Sequence, residues 1–173
     1  MDGPTVTAAA AAVGAAVALG NAYRQDMRAQ FTQMINILSQ QDARFDSPDF
    51  RVVRAKAAQW IRAGSDPDDI GGDDAARAVL NFFETLAFLH RREAVDSDAV
   101  WHYFASWLLP YHVALRPLVA RSQADDPNTY REYSALYDAI FQVEREKRNY
   151  RGTEQVISAA NVAAVLEAEC KLV

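Results

Sequence analysis

The sequence predicts an all-α fold, with a long N-terminal helix followed by a small antiparallel bundle of about five further helices. Three observations favour helix. Only 7 Gly and 6 Pro interrupt the 173 residues, and 32 residues are Ala, the strongest helix former. Apolar residues recur at intervals of three or four in several segments, whereas Val and Ile rarely alternate with polar residues as strands require.

The first helix is predicted to begin near Thr5 and to run to about Gln41. Its first half consists mainly of Ala, Val and Gly. Its second half carries apolar residues at intervals of 4, 4, 3 and 4, which is the spacing of one helical face: Tyr23, Met27, Phe31, Met34 and Leu38.

The second helix begins at "DSPDF", where Ser47 is the predicted N-cap and Pro48 the first helical residue. It ends near Gly64, where the loop "GSDPDDIGGDD" begins. A third helix is predicted over residues 74–92, with its apolar side chains on one broad face.

The fourth helix is predicted to start at the cap Asp96, and Pro110 and Pro117 are expected to kink it or end it early. The fifth follows "QADDPNTY", and Thr153 is the predicted cap of a last, Ala-rich helix. Short links between the third, fourth and fifth helices predict antiparallel neighbours. The predicted segments are a long helix (1–42), a helical bundle (43–150) and a C-terminal helix (151–173).

The net charge of −5 is unevenly spread. Residues 24–62 contain seven Lys or Arg and four Asp, whereas residues 65–98 contain nine acids and three Arg. Neither segment forms the basic stripe of a nucleic-acid-binding protein, so nucleic acid is excluded as a partner. The single cysteine, Cys170, forms no internal disulfide and is compatible with a reducing compartment.

The apolar run of residues 6–22 has three interpretations. As a helix it is about 26 Å long, just short of a hydrocarbon core of about 30 Å. Ala10, Gly14 and Ala18 form a ladder of small residues that suits close helix packing, in lipid or in an oligomer. A cleaved signal peptide is disfavoured because the leader "MDGPTVT" lacks a basic residue.

The flanking charges favour a membrane anchor. Arg24 and Arg28 follow the run as juxtamembrane basic residues, and no basic residue precedes it. The expected location is therefore the bacterial inner membrane, crossed once, with the C-terminal domain in the cytoplasm. The alternative is a cytoplasmic protein in which residues 6–22 form an assembly helix.

No catalytic, cofactor-binding or metal-binding residue is predicted. The Asp-rich loop fails the EF-hand pattern because Ile70 and Arg77 occupy positions that require an acid. Glu84, flanked by apolar residues, is expected to be half-buried and to pair with His102, His112 or an Arg of the second helix. A structural ion pair is favoured over an acid/base pair. An aromatic cluster over residues 101–111 is expected to be core rather than a pocket for a lipid or quinone.

Two stretches, "ARFDSPDFRVVRAKAAQWI" and "AVLNFFETLAFLHRREAVDSDAVWHYFASWLLPYH", resemble a family of short bacterial proteins known only as a domain of unknown function. The resemblance covers roughly residues 23–144, and its most specific pieces are "RFDSP" and "NFFE". It implies one N-terminal membrane helix and a small cytoplasmic helical domain. It implies no activity, no cofactor and no site residue.

The sequence thus predicts a non-enzymatic, membrane-anchored helical scaffold or adaptor that forms a homo-oligomer, with the bilayer and a larger protein complex as further partners. The alternative is a soluble oligomeric stalk subunit whose Ala-rich helices tether a larger enzyme complex or enclose a hydrophobic ligand. A third hypothesis is an enzyme that uses Glu84 with a histidine.

Overall fold

The computed structural model describes residues 3–148 and 157–172, with side chains described for residues 20–148 and 157–172. These residues form six helices and no strand, so the all-α prediction is confirmed. The helices are α1 (Gly3–Phe45), α2 (Pro48–Arg62), α3 (Ile70–Arg91), α4 (Ser97–Asp125), α5 (Arg131–Lys147) and α6 (Ala159–Glu169). The chain divides into two compact units, Met1–Ile37 and Leu38–Val173.

The second unit has an aromatic core. Phe45 packs with its ring centroid 4.8 Å from that of Phe82 and 6.0 Å from that of Phe104. Several other aromatic rings are as deeply buried, among them Phe83, Tyr111 and Tyr133. Since Ala contributes little apolar area, these large side chains supply much of the burial that stabilises the unit.

The predicted caps of α2 and α4 are confirmed. The Ser47 side chain accepts a hydrogen bond from the Phe50 amide, with Pro48 directly after it. The Asp96 side chain accepts a 2.7 Å hydrogen bond from the amide of Ala99. Each cap satisfies a backbone donor that a helix N-terminus leaves unpaired.

The predicted start of α3 is wrong by about one turn. The helix begins at Ile70, because Asp69 accepts a hydrogen bond from the amide of Gly72 and acts as the N-cap. Gly71 and Gly72 therefore lie in the first turn rather than in the preceding loop. Gly72 packs so closely on Trp60 that an added Cβ would overlap the indole ring.

The two prolines of α4 do not end it, since the helix continues through Pro110 and Pro117 to Asp125. The α6 helix is capped by Ser158, whose side chain accepts from the amide of Asn161. The predicted cap Thr153 lies outside the described residues.

The prediction of a membrane-spanning anchor is wrong. Within the described residues, no helix combines the length and the apolar character needed to cross a membrane. Ala and Gly, which favour lipid less than Leu, Ile or Phe do, supply most of residues 6–22. The side chains of Ala10, Gly14 and Ala18, to which the packing or anchor role was assigned, lie outside the described side chains.

Candidate interaction surface

The first unit carries an exposed apolar stripe on α1. Tyr23, Met27 and Phe31, which we call the α1 stripe, are 68%, 48% and 61% exposed. They follow one another at intervals of four residues, and a helix turns about 100° per residue, so they share one face about 80° wide. Three large apolar side chains on one face leave a considerable apolar surface in water.

Charged residues border the α1 stripe on both sides. Arg24 and Arg28 lie on one edge, whereas Asp26 and Gln30 lie on the other, as their helical positions require. The Gln30 side-chain amide donates a 2.9 Å hydrogen bond to Asp26. The juxtamembrane role predicted for Arg24 and Arg28 stays a prediction.

Glu84 has a different partner from the predicted histidine or arginine. Its Oε2 accepts a 2.7 Å hydrogen bond from the backbone amide of Tyr133, in the first turn of α5. The residue before that helix, Tyr130, lies in the left-handed region (φ 57°) and makes no side-chain cap. Glu84 therefore caps α5 from a neighbouring helix. Burial raises the pKa of this carboxyl, and the α5 amides partly oppose that rise.

The two histidines proposed as partners lie elsewhere. His102 is exposed, whereas the ring of His112 stacks on that of Tyr137 with centroids 3.6 Å apart. His112 Nδ1 is buried without a hydrogen-bond partner among the described residues. Burial, with a smaller effect of Arg116, lowers the pKa of His112 to about 4. Among the described residues, neither histidine forms a hydrogen bond with Glu84, so the predicted Glu–His pair is not formed there.

A buried ionic network is the site that sequence reasoning missed. The guanidinium of Arg54 donates two hydrogen bonds of 2.6 Å to the carboxylate of Glu169 and one of 2.9 Å to the carbonyl of Phe45. The hydroxyl of Tyr111 donates a third hydrogen bond to Glu169, at 3.0 Å. Arg54 and Glu169 are only 2% and 3% exposed, so the network joins α6 to the rest of the second unit.

A second buried carboxylate of this unit, Glu144, is also paired. A groove of about 280 Å³ lies between α4, α5 and α6, and Glu144 is its buried charge. Glu144 accepts a hydrogen bond from the Trp101 indole, at 2.6 Å, and forms an ion pair with Arg148. No group of three potential metal-ligating side chains occurs among the described residues.

The comparison with protein families decides the classification. The family described as Domain of unknown function (DUF4760) matches residues 5–140. The chain belongs to this family. Comparisons with curated proteins and with solved structures return no match. The DUF4760 match confirms the predicted family of unknown function and ends within α5, so Glu169 of the buried network lies beyond it.

Proposed function

We propose that this DUF4760 protein is a non-enzymatic assembly subunit that self-associates through α1. In this proposal α1 is the long assembly helix, and the bundle that follows it carries the contacts with a larger protein complex. The α1 stripe is the observation that carries the proposal, because it presents three large apolar side chains to water. Contiguous exposed apolar surface of this kind marks interaction sites.

The physical magnitudes support a reversible association. Fully burying a Phe, Tyr or Met side chain is worth roughly 1.5–3 kcal/mol. Since the α1 stripe is about half to two-thirds exposed, pairing two copies removes enough apolar area for roughly 5–10 kcal/mol. Association opposes this with about 4–15 kcal/mol of lost freedom. We therefore expect an equilibrium between monomer and oligomer, rather than a permanent complex.

The bundle supports a non-enzymatic role in a different way. Three of its buried or half-buried carboxylates are used for structure: Glu84 caps α5, Glu144 binds Trp101, and Glu169 pairs with Arg54. A general base must reach a substrate proton, whereas these groups face helix ends and neighbouring side chains.

The test is sedimentation equilibrium of the full chain and of the double variant Tyr23→Ser, Phe31→Ser. We expect self-association of the unaltered chain and a loss of it in the variant. The matched control is Ile70→Ser, which removes an equally exposed apolar residue (72%) from the second unit. An unaltered chain that is folded but monomeric at every accessible concentration would overturn the proposal.

A further inference from the structure

The two edges of the α1 stripe have opposite character. Taking Met27 as the centre of the face, Arg24 and Arg28 lie roughly 60° and 100° to one side, at about 100° per residue. Gln30 and Asp26 lie at the same angles to the other side. The exposed part of α1 therefore has a basic edge and an edge that carries an acid and an amide.

We infer that two copies of the chain pair through α1 in parallel and in register. This inference rests on the proposed self-association and adds its geometry. In a parallel two-fold pair, each edge of one helix meets the opposite edge of the other. In an antiparallel pair, like edges meet. Only the parallel arrangement places the basic edge, Arg24 and Arg28, beside Asp26 of the other copy on both sides of the seam.

The spacing along the axis strengthens this choice. Asp26 stands midway between Arg24 and Arg28, about 3 Å from each along the axis at 1.5 Å per residue. In a single helix Arg24 and Arg28 are like charges four residues apart, and such pairs are unfavourable. In-register pairing places an opposite charge from the second copy between them. An antiparallel pair would instead bring the four arginines of the two copies to one side.

The spacing of the α1 stripe and of Met34, which continues it, is compatible with the same parallel arrangement. From Tyr23 to Met34 there are eleven residues in three intervals, or about 3.67 residues per turn. This value is close to the 3.6 of an α-helix, so the seam stays on one face without strong supercoiling. Parallel, in-register pairing brings each residue of the stripe next to the same residue of the second chain, so Tyr23 faces Tyr23 and Phe31 faces Phe31.

Disulfide trapping distinguishes the two directions. In a chain with Cys170 replaced by Ser, the Tyr23→Cys variant is oxidised alone, and it is also mixed with a Phe31→Cys variant of different mass. The parallel pair predicts a covalent dimer of the Tyr23→Cys variant alone and no mixed dimer of the two variants above background. A dominant mixed dimer, with the Tyr23→Cys variant alone remaining uncrosslinked, would overturn the inference and leave the proposed self-association intact.

A charge variant supplies an independent readout. Asp26→Lys removes both inter-chain attractions and adds repulsion, so the parallel pair should dissociate roughly tenfold more readily at low salt. The control Asp138→Lys makes the same change of net charge at an exposed residue of α5 and should leave association unchanged. Equal dissociation constants for both variants would contradict the parallel geometry. An unaltered chain that does not associate would instead overturn the proposed function.

Discussion

The two units of this chain use the same kind of apolar helical face in different ways. In the first unit Tyr23, Met27 and Phe31 are half to two-thirds exposed. In the second unit Leu38, the next large member of the same spacing after Met34, is completely buried, as is Phe45. The spacing of apolar residues is alike in the two units. Periodicity therefore identifies an apolar face, but it does not show which surface, if any, covers that face. Burial depends on whether neighbouring helices are available to cover that face.

The largest loss of stability from a single substitution is expected in the second unit, at the buried ion pair of Arg54 and Glu169. Replacing Glu169 by Ala removes the buried counter-ion of Arg54 and leaves only the exposed Asp46, 3.7 Å from the guanidinium. Breaking a buried pair in this way destabilises a fold by about 3–5 kcal/mol. We expect urea denaturation to show a loss of that size for the second unit. The double variant Arg54→Met, Glu169→Leu should recover most of it, because no charge is then left unpaired. A loss below about 1 kcal/mol for Glu169→Ala would mean that α6 contributes little to the unit.

A smaller effect is expected where α3 meets α2. Gly72→Ala places a methyl group against the Trp60 indole, and overpacking of this kind costs about 1–3 kcal/mol. Gly71→Ala is the matched control, since its nearest neighbour, Oδ1 of Asp69, lies at 3.7 Å. That control should be neutral or more stable by up to about 1 kcal/mol, from helix propensity. Thermal unfolding of the two variants tests the pair, and equal stabilities would contradict the close packing.

The His112 ring adds a pH dependence to the same unit. The pKa of His112 is about 4 in the folded chain, whereas the ordinary value of 6.5 applies to the unfolded state. Between these two pH values the unfolded state therefore binds more protons than the folded state. Stability should therefore be fully present above pH 6.5 and fall as the pH falls towards 4, by roughly 2 kcal/mol after allowance for partial exposure. His112→Phe keeps a ring against Tyr137 and should remove this component from the pH profile of unfolding. An unchanged profile would assign the dependence to other groups.

Features of this fold that depend on adjacent residues could be predicted from the sequence, whereas contacts between distant residues could not. Ser47 and Asp96 were predictable as caps, because capping depends on a few adjacent residues. The Gly71–Gly72 pair is typical of a loop, yet close packing on Trp60 requires glycine inside the helix. The pair Arg54–Glu169 spans 115 residues, and no spacing rule connects positions so far apart. The α1 stripe was predictable as a face, although its exposure was not.

Substitutions in the α1 stripe are expected to have the smallest effect on the free energy of unfolding. They therefore contrast most with substitutions in the core of the second unit. Tyr23 and Phe31 are exposed, so the double change to Ser should alter the unfolding free energy of the second unit by less than about 0.5 kcal/mol in dilute solution. At concentrations where copies pair, the unaltered chain gains stability by mass action and the variant does not. A difference that grows with protein concentration therefore reports association through α1. A constant loss of more than about 1 kcal/mol at every concentration would instead show that the stripe is already covered within one chain.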